Sequence, residues 1–259
     1  MHETSFSLTT RPGVVIHGRA LDLGYGPVGL FLHGFRSHCD GEKAQALVAH
    51  ARARAYSWVR FDLAAHGASS GALEEQTVSG WLEDALAVAE RTAPRPLILV
   101  GSSLGAWLAV AMARMRRVPV AGLVLLAPAF NFLQRYYASF SEDLRRQWRA
   151  DGYLALPDLY APAGTVYRLG HRLIEDADAH DVLSSPITLP CPLTIIHGER
   201  DDVVRPSVSE AFLHQVRAPA KRLIVIPGGD HRLTAAIPRI LEEVDALWPH
   251  ADRAAGVGV

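Results

Sequence analysis

The run ILVGSSLGAWLAV, Ile98 to Val110, sets two serines between glycines in an otherwise apolar stretch. A serine that attacks a carbonyl must project from a sharp strand-to-helix turn. The positions two before and two after it must be small, because larger side chains would meet neighbouring backbone. Centred on Ser103 those positions are Gly101 and Gly105; centred on Ser102 they are Val100 and Leu104. Ser103 is therefore the candidate nucleophile, and Ser102 is a small residue packed beside it. A hydroxyl near neutral pH needs a base within hydrogen-bond reach. The base in turn needs an acid that fixes its tautomer and stabilises the imidazolium.

In a sheet that presents its nucleophile on such a turn, the acid and then the histidine follow the serine in chain order, on successive strand-end loops. Two downstream stretches qualify, HGERDDVVRP beginning at His197 and GGDHRL beginning at Gly228. Of the twelve histidines, only His231 lies in a loop after the last apolar run. His2, His17, His33 and His66 precede the serine. His50, His171, His180 and His214 fall in expected helices or an inserted segment, and His250 in the tail. His197 leaves its strand directly before a glycine, where a turn or a core hydrogen bond accounts for it. His231 is the candidate base. For the acid, the spacing H-G-x-x-D-x-x-V puts Asp201 inward with Val204 behind it, and Asp202 is the alternative carboxylate. Asp230 reads as a turn residue. Charge that builds on the carbonyl oxygen calls for preorganised N–H donors. Leu104, after the nucleophile at a helix start, supplies one, and Phe35, in the loop after LFLHG, the other.

His33, His38, Cys39 and Asp40 in HGFRSHCDGE match no metal-ligand spacing, and Asp40 reads as the N-cap of the next helix. DLAAHGASSG, Asp62 to Gly71, lacks the lysine of a phosphate-binding loop and reads as a structural turn beneath the site. No metal ion and no cofactor are expected.

These residues must be held by an alternation of elements. Two short strands, around Ser5–Thr10 and Val14–Leu21, precede strand-length apolar runs that alternate with helix-period segments. Continuous apolar strands of this kind mean a mostly parallel sheet covered on both faces, with ligands at the carboxyl ends of its strands. Ser207 and Glu210 read as a capping box. The rhythm breaks at 130–186, where no apolar strand is expected and helical stretches are expected around Ser141–Ala150 and Thr165–Ala177. That segment holds nine of the chain's twenty aromatics and reads as a helical cap inserted into a single domain spanning 1–259. The tail after Pro249 is expected to fray.

Lysine and arginine (26) nearly balance aspartate and glutamate (27), with no long block of one sign, which argues against a nucleic-acid partner. Two distant cysteines suit a reducing interior, and the polar N-terminus has no secretory h-region, so a cytoplasmic location is expected. Pro96 to Ala113 is uncharged, but the glycines and serines in its middle suit a buried strand, turn and helix better than a membrane span.

FLHGF, RFDLAAHGASSG, LVGSSLGAWLA, HGERDDVV and GGDHRL together resemble the α/β-hydrolase superfamily over nearly the whole chain. More narrowly, DGEKA, TVSGWLEDAL, GSSLGAWL, LSSPITLPCPLTIIHGERDDVV and DHRL are similar to the group formed by the mitochondrial palmitoyl-protein thioesterase and acyl-glucuronide esterase with its bacterial relatives. The resemblance implies a Ser–Asp–His triad on Ser103, Asp201 and His231, acting on thioesters and activated oxygen esters. The chain starts almost at the fold without an Arg-rich leader, so mitochondrial import is not expected, and the cap sequence departs from that group. The expected activity is hydrolysis of a small-molecule ester or thioester, or of an acylated protein, through an acyl-enzyme. The alternatives are peptidase or carbon–carbon bond hydrolysis by the same residues, and a ligand-binding protein without turnover.

Overall fold

In a computed structural model, which describes residues 2–158, 162 and 164–254, strands and helices alternate around one eight-stranded sheet. Its strands in chain order are β1 (Thr4–Arg11), β2 (Val14–Leu21), β3 (Val28–Leu32), β4 (Ser57–Phe61), β5 (Leu97–Ser102), β6 (Val120–Leu126), β9 (Leu193–Gly198) and β10 (Lys221–Ile226). Their spatial order is β1-β2-β4-β3-β5-β6-β9-β10. β2 pairs antiparallel with β1 and β4, and every other neighbour is parallel. β3, β4, β5 and β9 are buried along their whole length, which is why β3 and most of β5 read as continuous apolar runs.

Alternate strand residues feed two cores. Leu30, Leu97 and Leu99 face a core that includes residues of α2 (Val78–Glu90), α3 (Leu104–Met115) and α7 (Ser207–Gln215). Phe31, Ile98 and Val100 face the other, closed by α1 (Glu42–Arg54) and α8 (Ile237–Ala254). From β3 the chain steps to β4 on one side and later to β5 on the other. The connections therefore diverge between β3 and β5, the switch point where such sheets bind ligands. Pro96 to Ala113 is a buried strand, a turn and a helix, and among the described residues no helix is long and apolar enough to cross a membrane.

The 130–186 segment holds α4 (Phe132–Ala138), α5 (Glu142–Asp151), an antiparallel hairpin of β7 (Tyr153–Pro157) with β8 (Val166–Gly170), and α6 (His171–Ala177). Residues 159–161 and 163 of it lie outside the described residues. The segment expected as a helical cap thus also carries a hairpin, whose strands are largely half-exposed rather than continuous apolar runs. Helix begins at His171, five residues beyond the strand that starts at Val166, rather than at Thr165. Two expected caps also fail. Gly41 holds the N-cap position of α1, while Asp40 turns to the Arg60 guanidinium. Pro206 holds that of α7, and no Ser207–Glu210 box forms. α8 continues through Pro249 to Ala254, so the start of the tail is helical; 255–259 lie outside the described residues.

Candidate active site

β5 delivers Ser103 to the switch point, and α3 starts at the next residue. Ser103 has φ 54° and ψ −113°, a backbone conformation that a side chain makes costly and that tight packing must enforce. Gly101 and Gly105 show how tight. A Cβ on Gly105 would overlap the Leu32 carbonyl of β3, and one on Gly101 would overlap the Gly105 carbonyl. The strained turn lifts the Ser103 hydroxyl above the strand ends, and Ser102 stays buried below it.

His231 arrives on the loop after β10. With its Nδ1–H donating to Oδ2 of Asp201 at 2.7 Å, the free lone pair is on Nε2, which accepts the Ser103 hydroxyl at 3.2 Å. Asp230 does what a turn residue does, accepting the Leu233 N–H at 3.0 Å. Asp201 comes off β9, and its Oδ1 accepts the N–H groups of Val203 and Val204 at 2.9 and 2.8 Å. Burial pushes the Asp201 carboxyl up. The donors around it, His197 and His231 first and then Val204 N–H, outweigh burial and hold it well below the usual carboxylate range. Asp202, by contrast, is exposed. The structure thus brings together Ser103, Asp201 and His231 from three strand ends distant in sequence.

The remaining two predicted residues lie at the same place. Leu104 is the first residue of α3, and its N–H, like that of Phe35, meets no acceptor among the described residues. Phe35 follows Gly34, which lies so close that a methyl there would sit 3.3 Å from Ser103 Cβ. The peptide between Gly34 and Phe35 is fixed from its carbonyl side. Gly34 O accepts His33 Nδ1–H at 2.8 Å and Ser37 N–H at 3.2 Å. A trans peptide points its N–H opposite its C=O, so pinning the carbonyl aims the Phe35 donor. His33 is itself held by Leu63 N–H, which donates to its Nε2 at 3.0 Å. Burial, then the nearby His66 ring, pushes His33 down to about 3, so it stays neutral and keeps that tautomer. Position in the chain had removed His33 from consideration as a base. The signal it left was the dipeptide His–Gly at a strand end, which recurs at His197–Gly198.

A cleft of about 600 Å³ opens over Ser103 and His231, lined by Phe35, Arg36, Lys43 and Arg232 among others. Phe35 is the cleft residue that meets the 130–186 segment: its ring lies 6.0 Å from Phe132 of α4 and 6.4 Å from Tyr167 of β8. Arg36 lies over the Tyr167 ring and pairs with Asp158, so the inserted segment touches the loop that carries Phe35. Two aromatics of that segment, Phe132 and Tyr167, therefore reach the site region. Trp148 instead packs inside the segment, its indole N–H donating to Leu169 O. His33 and Asp40 face different partners, and among the described residues no cluster of three metal-ligating side chains exists.

A family profile described as "Alpha/beta hydrolase family" matches residues 30–241. A Bos taurus protein named "Palmitoyl-protein thioesterase ABHD10, mitochondrial" is 33% identical over 248 residues, covering 95% of this chain and 81% of the relative. Among solved structures, "Alpha/beta hydrolase domain-containing protein 10 from mouse" has a TM-score of 0.83 at 30% identity, covering 94% of this chain and 98% of that one. A protein from Agrobacterium vitis S4 has a TM-score of 0.88 at 29% identity, covering 96% and 100%.

Proposed function

This chain belongs to the alpha/beta hydrolase family, and from that premise we propose that it hydrolyses carboxylic esters or thioesters through a Ser–His–Asp triad and an acyl-enzyme. The observation that carries the proposal is the hydrogen-bonded line from Ser103 Oγ through His231 to Asp201. In this mechanism the Ser103 oxygen attacks the acyl carbonyl as its proton passes to His231 Nε2. The oxyanion forms between the N–H groups of Leu104 and Phe35. The alcohol or thiol leaves with the proton from His231. Water, deprotonated by the same nitrogen, then attacks the acyl-serine, and the free acid departs with Ser103 restored. Protons and electron pairs balance among these residues, substrate and water.

Support for an S-acyl substrate comes from the Bos taurus relative, whose name is that of a palmitoyl-protein thioesterase. The apolar side chains of Phe31 and Phe35 in the cleft lining support an apolar acyl group there. The test is hydrolysis of an acyl series from acetyl to palmitoyl, as both oxygen and sulfur esters, with amide and diketone substrates beside them. Turnover of esters or thioesters that falls at least ~10³-fold in Ser103→Ala is expected. A fluorophosphonate adduct on Ser103 should accompany it. Equal turnover in Ser103→Ala would overturn the mechanism. Cleavage of only amides or diketones would replace the substrate class, and absence of both adduct and turnover would leave a ligand-binding protein.

A further inference from the structure

His197 belongs to β9, four residues before Asp201, and its side chain has no exposure. Each ring nitrogen has an assigned partner. Nε2 lies 2.8 Å from the Val204 carbonyl and 3.1 Å from Oδ2 of Asp201. Both are acceptors, so Nε2 carries the hydrogen, and Nδ1 is left to accept. Its partner is the hydroxyl of Ser209, 2.7 Å away on α7 and fully buried. A line of side chains therefore continues behind the triad, from Ser209 to His197 to Asp201.

Two contacts give this line its consequence. The Val204 carbonyl ends the short turn whose amides, Val203 and Val204, grip Oδ1 of Asp201. Holding that carbonyl holds the turn. The same Nε2–H presents its positive end to Oδ2, the oxygen that receives His231. The two amides alone would leave Oδ2 free to rock about Oδ1, and His197 closes off that movement. The need is physical. His231 sits on a loop that leaves β10 through Gly228 and Gly229, and its side chain is partly exposed. Backbone bonds such as that from Arg200 N–H to the Gly229 carbonyl hold the loop, and an acid fixed from the strand side aligns the ring it carries.

We propose that His197, backed by Ser209, is a positioning residue for hydrolysis, locking the Asp201 carboxylate in the orientation that aligns His231 with Ser103. The proposal rests on the triad reading of Ser103, Asp201 and His231. His197 touches no substrate atom in this role. Its effect passes through Asp201.

Three variants test it in the full-length chain. His197→Leu keeps most of the volume and removes the donor. His197→Gln returns an N–H near the place of Nε2. Ser209→Ala keeps the donor and unties the far side of the ring. The readouts are kcat and KM on a p-nitrophenyl ester and the low-field proton resonance of the Nδ1–H shared by His231 and Asp201, with circular dichroism as the check on folding. Misplacement of a reacting group by about 1 Å costs ~10²-fold, so His197→Leu should lower kcat by roughly 10- to 100-fold with KM within about twofold. The resonance should shift or broaden in that variant, and His197→Gln should recover much of both. Ser209→Ala should move both in the same direction as His197→Leu, by less. A folded His197→Leu with unchanged kcat and unchanged resonance would reduce His197 to core packing and overturn the proposal. If His197→Leu does not fold, Ser209→Ala decides: an unmoved resonance and kcat overturn the proposal, and a shift in both sustains it. Failure of the triad reading looks different, since it shows in the parent protein as no fluorophosphonate adduct and no dependence on Ser103.

Discussion

At the scale of residues, the site depends on which atoms are aimed and which are only nearby. Asp201 and Asp202 are adjacent and chemically identical, yet only Asp201 has its oxygens met by two turn amides and an imidazole. Asp201→Asn would present His231 with an amide that can donate where only an acceptor serves, favouring the wrong imidazole tautomer. The expected outcome is a fall in kcat of ~10²- to 10⁴-fold with KM little changed, measured by steady-state kinetics on an activated ester. Asp202→Asn, on an exposed carboxylate, should stay within about twofold. The choice between these two was legible from the H-G-x-x-D-x-x-V spacing, because strand-end turns repeat with fixed geometry. The parts that escaped were the supports: His33 holding the Gly34 carbonyl and His197 facing Asp201. A histidine at a strand end reads identically whether it does chemistry or aims a neighbour, and only the partner atoms tell the two apart.

At the scale of elements, the legible features were those that burial dictates. β3 and β5 are covered on both faces and read as apolar runs, and the strand-to-helix turn at Ser103 carried its glycines because the backbones of β3 and α3 press together there. That contact gives a second prediction. Gly105→Ala would drive a methyl into the Leu32 carbonyl, so β3 and α3 must part or the turn must unwind. The expected cost is about 1–3 kcal/mol of stability, read from chemical denaturation midpoints, with ester turnover falling further because Ser103 and Phe35 lie on the two elements that separate. The 130–186 segment was less legible for the opposite reason. β7 and β8 are largely half-exposed and pair only with each other, so no continuous apolar run marks them. The helix start of α1 was misread because a good capping residue in sequence can find a stronger partner: Asp40 turns to Arg60, which is buried and also bridges to Glu3.

At the scale of the whole molecule, near-equal numbers of acidic and basic groups conceal an asymmetry in how folding meets acid. Three histidines are held below their ordinary range, each first by burial: His33 down to about 3, and His66 and His180 in the same direction. The unfolded chain protonates these rings as pH falls below 6.5, while the folded chain resists. Their contribution to stability is therefore complete above 6.5 and is lost as pH falls toward the folded values. Two carboxylates act lower on the scale. Asp201 lies well below its usual range, and Asp181, despite burial, is brought down to about 2 by donors from Ser184, Asn131 and Leu183. Their contribution is present above 3.8 and disappears as pH drops through the folded values. Both sets weaken the fold in acid, but the histidine window opens at higher pH. Tm should be nearly level above pH 7, decline between 6.5 and 4, and fall again below 4. His66→Phe separates the windows, because Phe fills the space between Phe35 and Trp81 without a proton to bind. That variant should lose less Tm than the parent between pH 7 and 4.5 and match its further fall in stronger acid. Parallel Tm profiles of the two proteins across the upper window would show that His66 does not contribute to the acid sensitivity.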